Sequence, residues 1–74
     1  MNISQIESEV KRLTQRVKAL HNGDWVALGY SSGGGWYARC PFGSVLPGRG
    51  DTPAAALDEF ERQLKIVEAR PEAA

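Results

Sequence analysis

The stretch Leu46–Leu64, LPGRGDTPAAALDEFERQL, decides how the chain folds. Its first part holds Pro47, Gly48 and Gly50. These residues interrupt strands, because proline lacks a ladder donor and glycine permits positive φ, so a turn is expected here. Thr52 then offers the hydroxyl of an N-cap, and Pro53 suits the first helical position, where a missing N–H costs nothing. Asp51, Asp58 and Glu59 set negative charge towards the positive end of the helix. Leu57, Phe60, Leu64 and Val67 recur on one side. The pattern predicts an amphipathic helix from Pro53 to about Arg70, stopped by Pro71, with Pro71–Ala74 as a frayed tail.

Working outward, residues 1–21 read as a first helix. Ile3, Ile6, Val10, Leu13, Val17 and Leu20 alternate at spacings of three and four, a narrow seam among polar residues. The seam can pack on the protein's own sheet or pair with another chain, and in so short a chain the first is expected. Gly23 suits the left-handed position past the helix end, and His21 lies in the last turn, where it is expected to meet the terminal carbonyls.

Between the helices, Asp24–Tyr30 and Trp36–Phe42 are aromatic-rich and flank Ser31-Ser32-Gly33-Gly34-Gly35, the signature of a hairpin. Placing Tyr30 opposite Trp36 sets Leu28 against Ala38 and Val26 against Cys40, six residues on one face that are expected to form a core layer. Trp25, Ala27, Gly29, Tyr37 and Arg39 then share the other, with the Tyr37 ring covering the bare backbone of Gly29. A short third strand, an edge piece, is expected at Gly43–Leu46. The chain thus reads as a single α+β domain over residues 1–74, in the order α-β-β-β-α. Strands fill residues 24–46, and both helices lie on one face of a small antiparallel sheet.

Composition bounds the function. Seventy-four residues are near the lower limit for burying a core unaided, and 42% hydrophobic with 24% charged is ordinary globular make-up. Nine basic and nine acidic residues cancel, so there is no whole-molecule attraction to nucleic acid or membrane, and a neutral small domain tends to self-associate. One cysteine, Cys40, excludes an internal disulfide and suggests a reducing interior; with no apolar run of signal or spanning length, a cytoplasmic protein is expected.

The turn Gly48-Arg49-Gly50-Asp51-Thr52, followed by Ala56, resembles the glycine-x-glycine-x-serine turn and helix alanine of the double-stranded-RNA-binding domain. That resemblance implies an α-β-β-β-α fold. The family places phosphate-clamping lysines in the first turn of its last helix, where this chain has Pro53, Ala54 and Leu57, with Asp58 and Glu59 adding repulsive charge. The fold is therefore expected without the family's main RNA clamp. Pro41, Gly50, Asp51, Thr52, Ala56 and Leu57 are also similar to the proline, glycine-acid-threonine and Ala-Leu pattern of HicB-like antitoxin modules. That family's central leucine-proline-glycine and a separate DNA-binding segment are missing here.

Candidate sites follow. Trp25, Tyr37 and Arg39 could form an exposed aromatic-basic patch of the kind enriched in protein interfaces, or could simply cover the sheet. Lys11, Arg12, Arg16 and Lys18 crowd the second half of the first helix, either as a nucleic-acid contact or as a solvated face near the helix's negative end. Arg49-Gly50-Asp51 spells the integrin-recognition tripeptide, expected to be coincidental in a chain without an export signal. The glycine loop precedes no helix and so cannot cradle a phosphate as a P-loop does. A single His and a single Cys suggest neither a metal site nor a nucleophile–base pair, so no catalysis, cofactor or metal is expected. The reading is a small non-enzymatic module binding another protein through its open sheet face or through an edge strand near Val45. It fits the bacterial or phage accessory type by analogy, with a homodimer expected. The alternative is weak binding of structured RNA or DNA by the basic half of the first helix.

Overall fold

The computed structural model describes residues 2–70 of the chain. The expected tail at residues 71–74 lies outside them. Helix α1 spans Ile3–Leu20, strands β1, β2 and β3 span Ala27–Tyr30, Trp36–Arg39 and Gly48–Gly50, and helix α2 spans Pro53–Ala69. The sheet is antiparallel in the order β1-β2-β3. This is the α-β-β-β-α architecture, α+β in class, that the sequence predicts.

Both helices begin as their residues dictate. At α1, Asn2 and Gln5 cap each other reciprocally: the Gln5 amide donates to the Asn2 side chain at 2.9 Å, and the Asn2 amide donates to that of Gln5 at 2.8 Å. At α2, the Thr52 hydroxyl accepts from the Ala55 amide at 3.1 Å, with Pro53 at the first position. Gly23 takes φ 91° just past α1, as expected, and Gly34 and Gly35, both at φ 96°, let the hairpin close with the Ser31 amide donating to the Gly35 carbonyl.

The hairpin register agrees with the sequence reading: Tyr30 faces Trp36, Leu28 faces Ala38 and Gly29 faces Tyr37, but of the expected core layer Val26 and Ala38 are buried while Tyr30, beside the hairpin loop, stays 63% exposed. The third strand does not agree with that reading. It forms at Gly48–Gly50, not Gly43–Leu46, and Val45, expected at an exposed edge, is buried in the core instead. The cause is steric. Gly48 and Gly50 both face α2, and a methyl group on Gly48 would fall on the Phe60 amide and the Ala56 carbonyl. One on Gly50 would lie 2.8 Å from the carbonyl carbon of Ala55. The two glycines are the price of laying strand backbone directly on helix backbone.

The core gathers Val26, Ala38 and Val45 with Leu13 and Val17 of α1 and Ala56, Leu57, Phe60 and Leu64 of α2. α2 covers β2 and β3, whereas α1 lies against α2 and only sparsely on the strands. The α1 seam enters the core through Leu13 and Val17, which meet α2 and also Val26, Ala38 and Val45. Only Leu13 and Val17 are fully buried; Ile6 and Val10 are half-buried, and Ile3 remains 74% exposed.

Candidate docking face

With α2 packed on the side of Ala38 and Gly48, alternation turns Ala27, Gly29, Tyr37, Arg39 and Arg49 to the opposite side. Among the described residues no helix lies on that side. Gly29, Tyr37 and Arg49 form one row across the three strands. The tip of the Tyr37 ring lies over Gly29, 2.6 Å from where a Gly29 Cβ would stand, so the absent side chain makes room for the ring. The Arg39 guanidinium sits 5.9 Å from the Tyr37 ring centroid, within cation–π range. Ser31, Tyr37, Arg39, Pro47 and Arg49 enclose a shallow concavity of about 270 Å³. Trp25, two residues ahead of β1, is 48% exposed.

Tyr37 and Arg39 lie on this face as the sequence predicts, whereas Arg49 is not among the expected residues. The signal was present, since a residue between two glycines that face a helix must point the other way. At short range the two glycines read instead as a turn. Arg49 and Gly50 end a strand, with Asp51 just past it and Gly50 pressed on Ala55.

The four basic residues of α1 divide between two faces. Arg12 donates to Glu9 and to Glu61, and Arg16 donates to Glu61 at 2.6 Å and to Glu68, so both guanidiniums join the two helices. The hydrogen bonds from Arg12 foremost, with those from Arg16, lower the Glu61 carboxyl from the ordinary 4.5 to about 2. Both arginines are raised in turn, Arg12 chiefly by Glu61 and Arg16 chiefly by Glu68. Lys11 and Lys18 lie on the other flank of α1, beside a groove of about 580 Å³ that includes Ile6, Glu7, Val10 and Leu28.

The His21 ring does not meet the helix-end carbonyls. It stacks on Phe42, centroids 5.0 Å apart, with Nδ1 3.1 Å from Oδ1 of the buried Asp24. Cys40 is half-buried, its thiol 3.6 Å from the Phe42 carbonyl oxygen, and burial foremost pushes that thiol up. No group of three or more His, Cys, Asp or Glu side chains is placed to hold a metal ion among the described residues. No helix among them is long and apolar enough to cross a membrane.

Comparison with protein-family models, with curated proteins and with solved structures finds no match to this chain.

Proposed function

We propose that this chain is a non-enzymatic docking module of the cytoplasm that binds another protein through the outer face of its sheet. The observation that carries the reading is the row Gly29–Tyr37–Arg49, with Arg39 against the Tyr37 ring, and Trp25 half-exposed two residues ahead of β1. Tyrosine, tryptophan and arginine are the residues that most often anchor protein interfaces, since each offers broad apolar area with a polar tip. Two guanidiniums in one shallow concavity, with no carboxylate among its lining residues, suit an acidic partner surface. The cytoplasmic setting rests on a single unpaired cysteine in the sequence.

The competing reading, nucleic-acid binding by the basic half of α1, has less support. Two of its four cations, Arg12 and Arg16, are already engaged by Glu9, Glu61 and Glu68, which leaves Lys11 and Lys18. Two lysines contribute a small share of the phosphate neutralisation on which such binding depends.

Capture from a lysate of the native host, with and without nuclease, separates the readings. The docking module retains a protein partner after nuclease treatment and loses it on Trp25→Ala or Tyr37→Ala, at least about tenfold in affinity. Recovery of nucleic acid alone, released by salt and by Lys11→Ala with Lys18→Ala, would overturn it.

A further inference from the structure

The groove beside α1 is an apolar surface that the described residues leave open. Ile6, Val10 and Leu28 form its floor and Ile3 stands two helical turns before Val10, while Glu7, Lys11 and Lys18 are exposed along its rim. This flank of α1 runs opposite to the one bonded to α2 through Arg12 and Arg16. We propose that it is occupied by α1 of a second copy of this chain, packed antiparallel about a two-fold axis.

The choice of occupant rests on the order of charges along the rim. Glu7 lies towards the start of the helix, Lys11 near its middle and Lys18 near its end. An antiparallel pair places the Glu7 end of each helix against the Lys18 end of the other, so opposite charges meet twice, once on each side of the axis, against a single like pair, Lys11 with Lys11, beside it. A parallel pair sets like against like. The helix is 18 residues long, about 27 Å at 1.5 Å per residue, so both ends of the pair can engage at once. The formal net charge of zero adds no long-range repulsion between copies.

The test uses exposed charged residues, whose exchange leaves the core untouched. Sedimentation equilibrium of the full chain is expected to show a dimer with a dissociation constant on the order of 10 µM. Glu7→Lys weakens it at least about tenfold by setting lysine against lysine. Combining Glu7→Lys with Lys11→Glu and Lys18→Glu inverts the rim and restores the constant to within about threefold of the starting protein. A chain that stays monomeric to about 1 mM overturns the proposal. So does a dimer indifferent to Glu7→Lys, or an inverted triple variant that stays as weak as the single one. None of these measurements touches Trp25, Tyr37 or Arg39, so failure here leaves the sheet-face reading standing.

Discussion

Replacing Gly48 by alanine is the most direct test of how this fold is held together. The added methyl would coincide with the Phe60 amide and the Ala56 carbonyl and would lie 2.7 Å from the Phe60 Cα. Carbon contacts settle near 3.5–4.0 Å, so α2 must retreat by about 1 Å or β3 must lift from it. Each obstacle is backbone, which no rotamer change can clear. Overpacking costs about 1–3 kcal/mol, and a backbone obstacle places this case at the upper end, about 3 kcal/mol. The unfolded chain loses freedom with alanine, which offsets about 0.4–1 kcal/mol of that. A net loss of about 2–3 kcal/mol is a large share of the roughly 4–11 kcal/mol expected for 74 residues. At about 4–8 °C per kcal/mol for a domain this small, the thermal midpoint should fall by about 10–20 °C. Gly43 is the matched control, because a Cβ there meets nothing within 4 Å. Gly43→Ala should leave the midpoint unchanged or raise it slightly. Thermal and urea unfolding followed by circular dichroism would measure both. A Gly48→Ala protein melting within about 3 °C of the unaltered chain would refute the close approach of β3 to α2.

Two further outcomes follow from the charged and thiol groups. Because the folded Glu61 carboxyl lies near 2, below its ordinary 4.5, its stabilisation is complete above pH 4.5 and is lost as the pH falls towards 2. After allowance for solvent screening that loss is about 1–2 kcal/mol, and Glu61→Gln should flatten it in urea titrations at stepped pH, whereas an unchanged acid sensitivity would contradict the pairing with Arg12 and Arg16. The Cys40 thiol, raised chiefly by burial, should react with a soluble disulfide at least about tenfold slower in the native chain than in urea, and equal rates would show it to be freely accessible.

The parts of the fold read correctly from sequence are those governed by local rules. The stripe Leu57, Phe60, Leu64 and Val67 is a helix period, and Thr52 with Pro53 suits a helix start. The hairpin register follows from matching aromatic and apolar residues across a glycine loop. β3 is illegible for a reason of the same kind: at short range Gly48 and Gly50 read as a turn, while the use of Gly48 is set by Ala56 and Phe60, eight and twelve residues further on, and that of Gly50 by Ala55 and Ala56. The site divides in the same way. Tyr37 and Arg39 follow from alternation along β2, but Arg49 requires knowing that β3 exists. The division of the basic residues depends on Glu61 and Glu68 in another helix, and no spacing within α1 could announce it.

The groove along α1 has a geometric origin in this same packing. Strands lie about 4.8 Å apart, so three of them span about 10 Å from first to last axis. Two packed helices need about 8–10 Å between their own axes. Were both centred over the sheet, they would just fit. Here the small residues facing inward, Ala38, Gly48 and Gly50, draw α2 down over β2 and β3. α1 must then stand a full helix width to the side, at or beyond the margin of β1. From there it reaches the strands only sparsely, and the Val26 amide, just ahead of β1, donates to the Thr14 hydroxyl at 3.2 Å. Leu28, which a centred helix would have covered, is left half-buried beside Ile6 and Val10. The two glycines that seat α2 thus also open the surface on which a second copy is proposed to pack. Lifting α2 with Gly48→Ala should therefore weaken self-association as well as stability, whereas Glu7→Lys should weaken self-association alone.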